Sequence, residues 1–126
     1  MIQSGTILIN KDVPRPECFE LEDHSPSDEW GAVRHTLSSR EQEKELTRAG
    51  WTFFFMTTLQ AKAFGFNRAK TSSAAVKRFI AKVKLQRCNC LEIDRVEERS
   101  FLGIPYVRLS GHARHIQVGM QFAPAR

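Results

Sequence analysis

No uncharged apolar run in the chain exceeds the one from Trp51 to Gln60, about half of the roughly 20 residues a membrane-spanning helix requires. The opening Met-Ile-Gln-Ser-Gly-Thr has neither an early positive charge nor a long apolar stretch, so no membrane association is expected and a cytoplasmic location is. Cysteine is scarce and odd in number. Cys18, Cys88 and Cys90 do not make a disulfide framework and read as reduced thiols. The sequence lacks a paired Cys-x-x-Cys, a nucleophile elbow and a glycine-rich phosphate loop, since Gly103, Gly111 and Gly119 are isolated. Those absences remove the zinc knuckle, the hydrolase turn and the nucleotide cradle from consideration, and neither a cofactor nor catalysis is expected.

What is present is the composition of an ordinary globular domain: 126 residues, 41% hydrophobic and 26% charged, which suits one core rather than two. Charge is divided unevenly. Residues 1–67 carry 7 Lys and Arg against 10 Asp and Glu, whereas residues 68–126 carry 12 against 4. A basic C-terminal half can attract nucleic acid, anionic lipid or an acidic partner, and it can equally be a solvated surface.

Along the chain, Gly5 to Asn10 suggests a short strand stopped by Pro14 and Pro16, and Cys18 to Leu21 a second one. The Asp-His-Ser-Pro-Ser-Asp stretch at 23–28 is the most linker-like segment, so residues 1–28 are expected as a peripheral arm, 29–118 as the domain and 119–126 as a mobile tail. Ser38-Ser39 followed by Glu41 and Gln42 has capping-box spacing, and Gly50 suits the position after a helix end. With few apolar residues besides Leu46 and Ala49, that helix is expected to contribute little core.

Trp51 to Thr58 is dense in aromatic and β-branched residues and Ala61 to Phe66 alternates small with large, which predicts a hairpin turning near Thr57 to Gln60. Phe53 and Phe55 then share one strand face and Phe54 and Met56 the other, so both faces are apolar. A single chain of this length is short of helices to cover both, and burial against a second subunit is expected. Asn67 is placed to cap a helix reaching about Gln86, with Val76, Phe79, Ile80 and Val83 as the buried stripe. Lys70, Lys77 and Lys84 with Arg78 and Lys82 form a basic ridge on its other faces.

Cys90 to Glu98 and Pro105 to Arg114 read as a second hairpin, with Phe101-Leu102-Gly103 as a three-residue loop and Gly103 left-handed. That register sets Leu91 opposite Ala113, Glu92 opposite His112, Asp94 opposite Ser110 and Cys90 opposite Arg114. Gly111 marks a bulge or a close backbone contact. The predicted class is α+β: an antiparallel sheet of four to five strands with two helices packed on it, in the order helix, two strands, helix, two strands after the arm.

The densest reactive cluster in this register is Cys90, Glu92, Asp94, His112 and Arg114, the candidate ligand- or partner-binding residues. Thiolate and imidazole there could serve a metal, and Cys90 or Ser110 beside His112 a nucleophile and base, but the ligand spacing is not that of a structural zinc site and no metal is assigned. His112 and His115 fall on opposite strand faces and cannot share one ion. Lys62-Ala63-Phe64-Gly65-Phe66 resembles the RNP1 segment of RNA-recognition motifs, which implies base stacking by Phe64 and Phe66; Asn67 and Ala69 depart from that pattern, and burial of both rings is the competing expectation. The expected function is that of a non-catalytic oligomerising or ligand-binding domain, a homodimer first. The alternative is a nucleic-acid-binding module using Lys70, Lys77, Arg78, Lys82, Lys84, Phe64 and Phe66. A thiol or metal site on the 88–114 hairpin is the third reading.

Overall fold

Asn67 ends one strand run and starts the longest helix. Its extended backbone (φ −88°, ψ 108°) lets the side-chain carbonyl accept from Lys70 N, at 3.1 Å, which satisfies a donor that the first helical turn leaves free. In this computed structural model, which describes residues 4–14, 21–22, 29–33 and 39–118, helix α2 (Arg68–Leu85) follows with Thr71, Ala75, Val76, Phe79, Ile80 and Val83 buried. Each large apolar side chain of that stripe contributes about 1.5–3 kcal/mol when fully covered. The expected cap, extent and stripe are all found.

The remaining elements are β1 (Thr6–Asn10), β2 (Leu21–Glu22), β3 (Trp30–Val33), α1 (Ser39–Arg48), β4 (Trp51–Phe64), β5 (Cys90–Phe101) and β6 (Ile104–Val118). The strands form one six-stranded sheet in the order β2-β3-β1-β5-β6-β4, antiparallel at every pairing. The class is α+β, as the sequence indicates. β1, expected in a peripheral arm, lies inside the sheet between β3 and β5. Cys18, the 23–28 linker, His24, His35 and the 119–126 tail lie outside the described residues.

The two helices cover opposite faces. On one, α2 packs over Leu8, Trp30, Ala32, Ala61, Ala63, Leu91, Ile93, Val107, Leu109 and Ala113. On the other, Leu46 of α1 joins Ile7, Ile9, Trp51, Cys90 and Ile116. α1 therefore closes a second, smaller core, more than its sparse apolar content suggested, because its one fully buried leucine packs with Trp51 and the isoleucines of β1 and β6. Ala61 and Ala63 are small where α2 approaches the sheet.

Two expectations about strands are corrected. Residues 51–64 form one continuous strand, not a hairpin: Thr57-Thr58-Leu59-Gln60 contains none of the glycine, proline, asparagine or aspartate that a tight turn calls for. β4 is also bulged, its register with β6 shifting between Phe53 and Met56. Phe53 pairs with Ile116 and Met56 with Arg114, so Phe53 and Met56 share the α1 face, which the simple alternation had separated.

The β5–β6 hairpin keeps the predicted register from Cys90↔Arg114 to Ile93↔Gly111, then shifts by one residue, so that Arg95 and not Asp94 pairs with Ser110. The turn compensates. Phe101 pairs with Ile104 across a two-residue loop in which both Leu102 (φ 54°) and Gly103 (φ 83°) are left-handed, the type I′ solution that matches strand twist. Gly111 sits beside the bulge in close contact with β5: a Cβ there would lie 2.0 Å from Glu92 O.

Candidate functional site

Alternation along β5 and β6 sends Cys90, Glu92, His112 and Arg114 to the α1 face. The bulge carries Asp94 to that face as well, within reach of His112. His112 Nδ1 lies 2.6 Å from Asp94 Oδ2. Arg114 Nη1 reaches Glu43 Oε1 of α1 at 2.6 Å and Nη2 stands 3.8 Å from Glu92 Oε1. The guanidinium carbon also lies 5.2 Å from the Phe53 ring centroid. Arg114 is thus the cation that ties α1, β4 and β5 together, and α1's Glu43 was not foreseen because its partner is set by tertiary packing alone.

Cys90 belongs to a different environment. It is buried in the α1 core, and that burial pushes its thiol pKa far up, so it is a neutral packing group and presents no thiolate to a ligand. Cys88 lies against the α2 core, is likewise raised by burial, and donates its S–H to Gln86 O at 3.5 Å. The predicted cluster therefore loses its cysteine and keeps its four charged or titratable members.

Glu92, Asp94 and His112 each offer one donor atom, all within 4.8 Å of one another, and carboxylate with imidazole is a donor set that divalent metals accept. Arg114 occupies the same ground: a cation beside Glu92 would repel an added one at short range. Arg114 thus supplies one counter-charge to Glu92 and Glu43 and ties the group to α1.

Further along the same face, away from α1, the chemistry changes. Glu97 is enclosed by three guanidinium groups. Arg108 donates to its Oε1 from Nε at 2.7 Å and from Nη2 at 2.5 Å, Arg99 Nη2 to Oε2 at 3.1 Å, and Arg95 Nη1 lies 3.8 Å away. The Arg108 bonds hold the Glu97 carboxyl below the usual carboxylate range and hold Arg108 above its own. One row beyond, Arg99, Tyr106 and Phe64 stand side by side on β5, β6 and β4. The Phe64 and Tyr106 rings are 5.1 Å apart, and Lys62 Nζ lies 5.5 Å and 5.3 Å from their centroids.

The residues expected to bind nucleic acid are dispersed. Phe64 is on this α1 face. β4 ends there, and Phe66 lies in the exposed connection to α2 rather than on the same strand face. Lys70, Lys77, Arg78, Lys82 and Lys84 are on α2, across the sheet, and three of them are engaged: Arg78 Nη1 donates to Lys62 O at 2.6 Å, Lys82 Nζ to Gln60 O at 2.5 Å, and Lys84 pairs with Glu29. Tyr106, Arg95, Arg99 and Arg108 were not singled out from the sequence, although the alternation of Arg95, Glu97 and Arg99 was there to find them.

β4 is the outer strand of the sheet. In its first half Phe54, Phe55 and Met56 are 56%, 51% and 55% exposed. The His115 ring lies 6.2 Å from Phe54 and is stacked 6.5 Å from Phe55. No helix among the described residues is long and apolar enough to cross a membrane. Comparison of the chain with protein-family models, with curated proteins and with solved structures returns no match in any of the three.

Proposed function

We propose that the protein is a non-catalytic domain that self-associates as a dimer through the first half of β4. The observation that supports this reading is the asymmetry of that outer strand. Its second half is guarded: side chains of α2 occupy the Gln60 and Lys62 carbonyls that another strand would otherwise take up, a known way of blunting an edge. Its first half carries no such guard among the described residues and presents three adjoining large apolar side chains. Neither helix reaches them, because α1 is spent on Leu46 against Trp51 and α2 on Ala61 and Ala63.

Half of the 150–250 Å² that an aromatic side chain can bury is roughly 100 Å², so the three residues offer about 300 Å² of apolar surface per copy. That is a serviceable centre for a small two-fold interface of about 1,200 Å² in total. Each residue is counted twice across a two-fold axis. At ~25 cal/mol/Å², Phe55→Glu removes about 5 kcal/mol of burial from the dimer, more than a thousandfold in dissociation constant. Sedimentation velocity from low to high micromolar concentration should show a concentration-dependent dimer for the native chain and a monomer for Phe55→Glu. A native chain that stays monomeric throughout that range refutes the proposal.

A further inference from the structure

We infer that the exposed part of the α1 face is a binding platform for single-stranded nucleic acid, centred on Phe64, Tyr106 and Lys62. This goes beyond self-association and uses a different surface, the sheet's face rather than its edge.

Two aromatic rings from neighbouring strands lie side by side, with Phe64 47% exposed. Apolar side chains in that position normally face a core, yet none of the described elements packs over this row. The hairpin tip extends the row, since Phe101 and Ile104 pair one step beyond Arg99 and Tyr106 and both are exposed. Cations frame the rings. Arg95, Arg99 and Arg108 surround the carboxylate of Glu97 and Lys62 stands over the two rings, so this part of the face keeps an excess of three positive charges on a chain of net charge +5.

That pairing of flat π faces with surplus cations selects the occupant. Bases stack on exposed aromatic rings, while the phosphates linking them meet the guanidinium and ammonium groups. An acidic peptide would use the cations and leave the rings without a partner. From Phe64 the same face continues through Lys62 and Gln60 of β4 beside Arg108 and Ser110 of β6, and ends before the carboxylates of Asp94 and Glu92 beside His112 and Arg114. At 3.4 Å per residue that track is about 14 Å long, the span of two or three nucleotides. The basic ridge of α2 is on the other side of the sheet and takes no part.

The test is fluorescence anisotropy of a labelled oligothymidylate of about twelve nucleotides, against an abasic strand of equal length and charge, at about 50 and 200 mM salt. The platform predicts that the thymidylate strand binds and that the abasic strand binds at least tenfold more weakly. Phe64→Ala and Tyr106→Ala should each weaken binding roughly 5- to 150-fold, the range found for loss of one stacking side chain. Arg99→Gln, an exposed substitution that leaves the core untouched, should lower the salt dependence by about one released ion and serves if an aromatic variant fails to fold. The doublet Lys70→Gln/Lys77→Gln should leave affinity within about threefold. Absence of binding at the lower salt, equal binding of the abasic strand, equal competition by polyglutamate, or loss confined to the α2 doublet would each overturn the proposal. Sedimentation of the same samples separates the two readings: a monomer that binds the oligonucleotide refutes association and leaves the platform standing.

Discussion

Replacing Gly111 by alanine tests whether a close approach of two backbones holds the hairpin in its bulged register. An added Cβ would lie 2.0 Å from Glu92 O, 3.0 Å from Glu92 C and 3.1 Å from Ile93 Cα. All three obstacles are backbone, so no side chain can swing aside. Carbon and oxygen normally approach no closer than about 3.3 Å, so β5 and β6 must part by roughly 1 Å where both are interior strands. Stretching two or three ladder bonds costs about 1 kcal/mol each, more if a buried donor is left unmatched. Alanine returns about 0.4–1 kcal/mol by restricting the unfolded chain. The balance is a loss of ~2 kcal/mol, a sizeable share of the 5–15 kcal/mol that holds a domain folded. Urea unfolding should show a lower midpoint with an unchanged slope. Gly103→Ala is the control: nothing lies within 4 Å of its Cβ, so only its left-handed backbone is strained, at about 1 kcal/mol. A Gly111→Ala loss under about 1 kcal/mol, or one equal to that of Gly103→Ala, refutes the steric account.

Glu97 should make stability depend on pH on the acid side. Its carboxyl is held low by the Arg108 hydrogen bonds, so the stabilisation is complete above the unfolded carboxylate value and is lost as pH falls through the folded one. Glu97→Gln should lower the urea midpoint at neutral pH and flatten its acid limb, so that the variant and the native chain converge in acid; an unchanged limb contradicts the assignment. The thiols of Cys88 and Cys90, both raised by burial, should resist a disulfide reagent at neutral pH in the native protein and react fully in guanidinium chloride. Rapid native reaction at Cys90, located by peptide mapping, would show that the α1 core opens.

What the sequence made legible follows from where one periodic signal was strong. The α2 stripe, its Asn67 cap and the 90–93 register were readable because a slip at any of them would expose Leu91, Ile93 or Phe79. Beyond Ile93 that penalty fades. Arg95, Glu97 and Arg99 tolerate water on one face, and on the other Val96 is followed by Glu98 and Ser100, so adding one residue to β5 costs little burial. A three-residue and a two-residue turn both put Gly103 in the left-handed region, and nothing in Leu102 announces that it adopts the same conformation at φ 54°. The register shift at Asp94 and the shorter turn are therefore one event read at two ends. It turns Asp94 toward His112 and sets Arg99 beside Tyr106. The bulge in β4 acts in the same way, separating Phe53, held under Arg114, from the exposed Phe54 and Phe55. Both candidate surfaces thus depend on single-residue irregularities in strands. Alternation cannot encode these, since a one-residue shift changes burial only where the two faces of a strand differ in polarity.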